Sequence, residues 1–401
     1  MRILHTSDWH LGKYLDGNSR LDEQKEFVEE LCRICDQEEI ELILLAGDVY
    51  DNGNPSAQAE ELFYKAAKKL TKDGKRPMIA IAGNHDSPER LMAADVLSYE
   101  HGIVLLGMPG SQAREGSYEH YEIARSGSGF LEMSLNGHQL VILTMAYPSE
   151  KRLAELVSQS LEEEEMQQGY SQKIGERFHL LEQEFREDTI NLAMGHFYTM
   201  GGEESGSERP VQLGGALSVN KEDLPLKAQY TALGHLHKSQ AVPGTEKRCQ
   251  YSGSPIAYSK QEAGQKKYVH LIDVFPGQEA TVTRKELAAY KPVEIWHAKN
   301  MEEALELCQE HSGENSWVYL EIETDRIITQ QEIRQMRETK EDIVEIIPFV
   351  RNTVEKEELP EERTLDIRQQ FIQFCQKMQN DAKPSAQMVD LFLELLQEER
   401  A

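Results

Sequence analysis

Cysteine, long apolar runs and positive charge are all scarce in this chain, and each shortage removes a class of protein. Five cysteines occur in 401 residues, at Cys32, Cys35, Cys249, Cys308 and Cys375. An odd, scattered set of this kind does not build a disulfide framework. Cys32 and Cys35 have CxxC spacing, but no second pair exists to complete four zinc ligands, and both lie on a helical pattern with Phe27, Leu31 and Ile34. They are expected to be reduced thiols. The apolar run Leu42 to Ala46 is far too short to span a bilayer. Asp8 arrives too early for the apolar segment of a signal peptide, so a cytoplasmic location without membrane association is expected. A GxxxxGK[ST] phosphate loop is also missing.

Lys and Arg number 43 against 70 Asp and Glu, for a net charge of −27. Such an average field repels a polyanion. If the substrate is nucleic acid, its binding must rest on local basic patches, on metals or on a partner. Lys13, Arg20, Arg90 and Lys238 are the candidate phosphate contacts.

What the chain does have is a real core and an alternating plan. At 401 residues, with 39% hydrophobic and 28% charged positions, it suits two or three domains. Residues 1–275 alternate strand signals (Met1 to Thr6, Leu42 to Ala46, Met78 to Ala82, Leu140 to Met145, Leu192 to Met194, Tyr230 to Leu233) with helical stripes. That pattern predicts an α/β sheet with loops gathered at the strands' carboxyl ends. Residues 150–188 turn helical and acidic, with Ile174, Phe178, Leu181 and Phe185 facing the body. Gly201 to Gly215 reads as a loop passing the site. A compact α+β unit is expected over 285–352, and two apolar-faced helices over 355–401.

Five segments rich in Asp, His and Asn follow the strand-like runs: Asp8-Trp9-His10, Gly47-Asp48, Gly83-Asn84-His85-Asp86, Gly195-His196 and Gly234-His235-Leu236-His237. Hard oxygen ligands and imidazoles delivered from separate strand ends suit a site for two divalent cations. Asp48, with two carboxylate oxygens, is the natural bridging ligand, and Gly47 leaves room beside it. Asn84 offers a carbonyl oxygen, and His196, His235 and His237 offer nitrogens. Trp9 is expected to pack beneath the site. The chemistry predicted is phosphoester hydrolysis.

These strings, in this order, resemble the calcineurin-like metallophosphoesterase superfamily. The longer runs His5 to Gly12, Ala46 to Asp51, Ala82 to Ser87, Leu233 to Lys238 and Ser252 to Ser259 are similar to its SbcD branch of bacterial nuclease subunits. That resemblance implies an α/β fold: a two-sheet sandwich flanked by helices, a small α+β capping domain and a C-terminal helical element that binds a partner. It implies two Mn2+ ions, the first on Asp8, His10, Asp48 and His237 and the second on Asp48, Asn84, His196 and His235. The donor types admit iron or zinc as well. His85, beside Asn84 but unneeded for coordination, is assigned to donating a proton or hydrogen bond to the phosphate or leaving oxygen. The implied partners are DNA and an SbcC-like coiled-coil ATPase, with two nuclease subunits paired as a homodimer inside a heterotetramer. The implied activity is 3′–5′ double-strand exonuclease and single-strand or hairpin endonuclease action. A small-molecule phosphodiesterase or phosphatase is the competing enzymatic reading, and a non-catalytic regulator of an ATPase the third.

Overall fold

Two sheets face each other across the main core of the computed structural model, which describes residues 1–156, 163–208 and 217–349. The first sheet has six strands in the order Thr281–Glu286, Tyr268–Asp273, Arg2–Thr6, Leu42–Ala46, Met78–Ile81 and Ile103–Leu106. Its last four strands run parallel, and Tyr268–Asp273 pairs antiparallel with Arg2–Thr6. Every residue of Leu42–Ala46 is buried, as a strand covered on both faces must be. The helices Leu21–Gln37 and Ala57–Thr71 cover its outer face through Phe27, Leu31, Phe63 and Ala67. Burying a side chain such as Phe63 stabilises by about 1.5–3 kcal/mol. Ser56 starts the second helix by accepting the Ala59 N–H at 3.3 Å.

The second sheet has eight strands in the order Gln240–Ala241, Cys249–Tyr251, Tyr230–Gly234, Ile190–His196, His138–Met145, Phe130–Leu135, Tyr121–Gly127 and Gly116–Ser117. Its residues divide by the two-residue period of a strand. Leu140, Ile142, Leu192, Met194 and Ala232 turn into the core between the sheets. Val141, Leu143, Ala193 and Leu233 turn the other way, onto Ile174, Phe178 and Leu181 of the helix Glu163–Leu181. The face predicted for that helix is therefore the one that docks, with Phe185 partly buried against it. The run Leu161 to Glu165 lies outside the residues whose side chains are described.

The strands Tyr121–Gly127 and Phe130–Leu135 have no counterpart among the strands expected from the sequence, although Leu131, Met133 and Leu135 alternate with half-exposed neighbours. Thr281–Glu286 carries the first sheet past residue 275.

The unit expected over 285–352 is a three-stranded sheet, Val293–Ala298, Trp317–Glu323 and Ile343–Phe349, with all strands parallel. Helices Met301–Glu310 and Gln330–Thr339 make the crossovers that parallel pairing requires. Thr329 and Glu332 form a capping box at the second. Trp317, Tyr319, Val293 and Val344 meet Leu15 of the main body in a small apolar seam. The expected partner-binding helices of 355–401 lie outside the described residues.

Candidate metal centre

The carboxyl ends of both sheets open onto one rim. Asp8 and His10 follow the strand Arg2–Thr6, Asp48 follows Leu42–Ala46, and Asn84 and His85 follow Met78–Ile81. From the other sheet, His196 ends its strand opposite Gly234, and His235 and His237 come directly after. Backbone bonds join the first two loops: Asp8 N donates to Gly47 O and His10 N to Asp48 O, both at 3.0 Å. Trp9 is buried beneath them against Phe27 and Phe63, as expected, with its indole N–H on Thr6 Oγ1 at 2.9 Å.

Side-chain donors converge from these five loops. His10 Nε2 lies 3.0 Å from His237 Nε2 and 3.6 Å from Asp48 Oδ2. His196 Nε2 lies 3.3 Å from the same Asp48 oxygen. His196 Nε2 and His235 Nδ1 each stand 2.9 Å from Asn84 Oδ1. Asp8 is within ligand reach of both groups, with His10 and His237 on one side and Asp48 and His196 on the other. Asp8, His10, Asp48, His196, His235 and His237 are buried, and Asn84 is half-buried.

Holding them there distorts the backbone. Asp8, His10, Asp48 and His235 have positive φ, at 54°, 43°, 50° and 106°. Such conformations cost about 1–3 kcal/mol each in non-glycine residues and cluster at functional sites. The role expected of Gly47 changes in the structure. A Cβ there would stand 2.2 Å from His196 Nδ1, so the glycine makes room for an imidazole rather than for an ion.

The electrostatics fit a cation site. Burial pushes the Asp8 carboxyl up to about 6, with Asp48 adding to the shift, against the pull of His196 and His237. Burial also disfavours imidazolium at His196, yet the Asp48 carboxylate outweighs it and the pKa rises to about 9. His235 falls to about 3 through burial and the neighbouring His196. Buried carboxylates thus demand positive charge that a proton on His196 supplies in part. His10 Nδ1 is buried without a hydrogen-bond partner, 3.7 Å from Asp51 Oδ1. Mixed oxygen and imidazole donors around a shared carboxylate suit two divalent ions.

His85 lies beside the cluster, its ring 4.6 Å from that of His10. Its Nδ1–H donates to Asp51 O at 2.6 Å, and its backbone N–H to Asp48 Oδ1 at 2.8 Å.

Several supporting residues are not among those the sequence singles out. Asp86 accepts the N–H groups of Gly83, Val49 and Tyr50 at 2.8–3.1 Å and so ties the loops that carry Asp48 and Asn84 together. Its place at the end of the Gly83-Asn84-His85-Asp86 string is its only signal. Gln24 Nε2 holds His10 O at 2.8 Å, and Tyr258 holds Trp9 O. Arg152 donates to the carbonyls of Gly83, Tyr147 and Asp86 at 3.2–3.4 Å, placing a cation behind the Asn84 loop. Neither Gln24 nor Arg152 stands in any motif, and Tyr258 carries no polar signature of its own.

The four basic candidates divide. Lys13 pairs with Asp51 at 2.8 Å, Arg90 with Glu60 at 2.8 Å, and Lys238 with Glu203. Arg20 is not a phosphate contact. It is 1% exposed, binds Glu23 through two nitrogens at 2.5 Å and donates to Ala257 O at 2.5 Å.

The sandwich and its rim of Asp, Asn and His define a phosphoesterase of the calcineurin-like class, and the model of the calcineurin-like phosphoesterase family matches residues 1–239. The chain is 40% identical to the SbcD subunit of the nuclease SbcCD of Bacillus subtilis strain 168, over 98% of this chain and 97% of that protein. A second relative of the same name, from Rhodobacter capsulatus, is 32% identical over 82% of each chain. The chain belongs to the calcineurin-like phosphoesterase family and, within it, to the SbcD nucleases. Among the described residues, no helix is long and apolar enough to cross a membrane.

Proposed function

We propose that this chain is the nuclease subunit of a DNA end-processing complex in recombination and repair. It would cleave double-stranded ends from the 3′ side and nick single strands or hairpins. The observation that carries this reading is the convergence of His10 Nε2 and His196 Nε2 on one Asp48 carboxylate oxygen, with His237 Nε2 3.0 Å from His10 Nε2 on one side and Asn84 Oδ1 2.9 Å from His196 Nε2 on the other. The first ion would sit on Asp8, His10, Asp48 and His237, the second on Asp48, Asn84, His196 and His235. Two divalent ions there, Mn2+ in this reading, would supply an activated water and neutralise the scissile phosphate.

The chain's own residues do the rest. The bond from His196 Nδ1 to Ala46 O, at 2.8 Å, keeps the Nε2 lone pair turned into the site. His85, fixed through Nδ1–H on Asp51 O, would in its imidazolium form give the Nε2 proton to the leaving oxygen and be left as the neutral Nδ1–H imidazole. Arg152 and Lys13 add positive charge beside an otherwise acidic body. The name shared by the relatives, which makes each of them one subunit of SbcCD, supports an SbcC-like coiled-coil ATPase as partner. It agrees with the missing phosphate loop, since ATP use would belong to that partner. A homodimer within a heterotetramer and a cytoplasmic location complete the proposal.

Hydrolysis of linear duplex DNA and of bis-p-nitrophenyl phosphate, each in Mn2+, tests it. DNA cleavage that depends on Mn2+ supports the nuclease. Turnover of the small diester alone, with or without added ATPase partner, favours the small-molecule reading.

A further inference from the structure

Metal-binding histidines are oriented through the ring nitrogen that faces away from the metal. For His196 that partner is a backbone carbonyl, which no substitution removes. His237 differs. Its Nδ1 meets Ser207 Oγ, and the same hydroxyl meets Glu262 Oε1. Glu262 is 0% exposed and lies 25 positions past His237, in a stretch without motif character.

The direction of this chain of bonds is fixed by what each group can do. An ionised carboxylate only accepts, so Ser207 must donate its single proton to Glu262. Ser207 Oγ then accepts from His237, which places the ring proton on Nδ1 and the lone pair on Nε2. That lone pair is the one facing His10 Nε2 at 3.0 Å. Lys267 keeps Glu262 ionised by a buried ion pair, and its Nζ also reaches His237 O at 3.3 Å and Ser254 Oγ at 2.9 Å. Tyr258 N–H holds the other flank of the carboxylate at 3.2 Å.

We propose that Glu262, acting through Ser207, is a positioning residue that sets the tautomer and strengthens the donor power of His237. The inference rests on the metal site proposed above, and it deepens that reading by making the two ion positions unequal in what supports them. One leans on backbone at His196; the other leans on a buried carboxylate 25 residues downstream in sequence.

The full-length chain carrying Glu262→Gln together with Lys267→Met removes the carboxylate without stranding a buried ammonium. Calorimetric titration with Mn2+ should show one of the two ions bound about 10–100-fold more weakly and the other unchanged. In the metal-free protein at alkaline pH, 15N NMR should show His237 moving from the Nδ1–H tautomer to a mixture. Ser207→Ala, at a half-buried loop position, should shift both readouts the same way and serves if the double variant does not fold. Wild-type affinity for both ions and an unchanged His237 tautomer in a folded variant would overturn the role. Failure of the wild-type chain to bind Mn2+ would instead sink the proposed metal site, while the tautomer measurement still decides on Glu262.

Discussion

His196 and Ala46 are joined by a 2.8 Å bond from the imidazole Nδ1–H to the carbonyl oxygen, across the gap between the two sheets. With Nδ1 committed, any second proton on the ring must sit on Nε2, the nitrogen that faces Asp48. The pKa of about 9 means that the metal-free site holds this proton through neutral pH. An ion needs that lone pair, so binding must displace the proton at every pH below about 9. Affinity should therefore rise with pH up to that value, by roughly tenfold per unit for one displaced proton. Below about 6 protonation of Asp8 steepens the fall. Titration with Mn2+ in buffers of different ionisation heat measures the protons released. A pH-independent affinity across this window would show that the Asp48–His196 pair does not carry the ion.

Gly234 makes the same contact possible. A Cβ at this position would lie 1.9 Å from Ala46 O and 2.8 Å from His196 Nδ1. Gly234→Ala must push the strand Tyr230–Gly234 from its neighbour or break the His196 bond. Overpacking of this kind costs about 1–3 kcal/mol. The variant should unfold at lower denaturant and purify with less bound metal. Normal metal content with an unchanged midpoint would mean the strands yield freely here.

The residues of the proposed metal site were legible because each is of a type that few other roles demand, placed just after an apolar run. Asp8, Asp48, Asn84 and the three later histidines needed no knowledge of distance. The sandwich was legible in part, since the buried strands Leu42–Ala46 and Met78–Ile81 are continuous apolar runs. Strands such as Tyr121–Gly127 were not, because half of each faces solvent and the pattern is diluted. Glu262, Gln24 and Arg152 were invisible for a different reason. Their importance comes from contacts with segments distant in sequence, and a lone Glu, Gln or Arg announces nothing. Arg20 shows the opposite failure: a basic residue near the motifs looked available for DNA, and only burial reveals its carboxylate partner.

The CxxC pair should be chemically quiet. Burial raises the Cys32 thiol to about 11 and the Cys35 thiol to about 12, so almost no thiolate exists at neutral pH. Both should resist a disulfide reagent at mildly alkaline pH in the native chain and react on unfolding. Rapid native reaction of either would reopen a redox or metal role.

His85 tests the chemistry apart from the metals. Its ring Nδ1–H bonds to Asp51 O at 2.6 Å. His85→Gln should keep Mn2+ stoichiometry while DNA hydrolysis falls by about 10²–10⁴-fold. The loss should be smaller on bis-p-nitrophenyl phosphate, whose leaving group needs no proton. Equal losses on both substrates would point to a role in placing the phosphate instead, and unchanged turnover would remove His85 from the mechanism.

Arg20 and Glu23 join the unit of residues 293–349 to the main body. Glu23, the partner of Arg20, also accepts the indole N–H of Trp317, a residue of that unit, at 3.0 Å. Arg20→Met would leave the Glu23 carboxylate buried with only that bond, a loss of about 3 kcal/mol or more. Arg20→Met with Glu23→Gln should recover much of it, because the amide still accepts from Trp317 and carries no charge. Urea unfolding measures both. DNA binding gives the contrasting readout: a lost phosphate contact would lower the slope of log affinity against log salt by about 1. The slope should stay constant in both variants, since Arg20 is shielded from solvent. A reduced slope with unaltered stability would restore Arg20 to the DNA surface and leave the Trp317 seam without its electrostatic anchor.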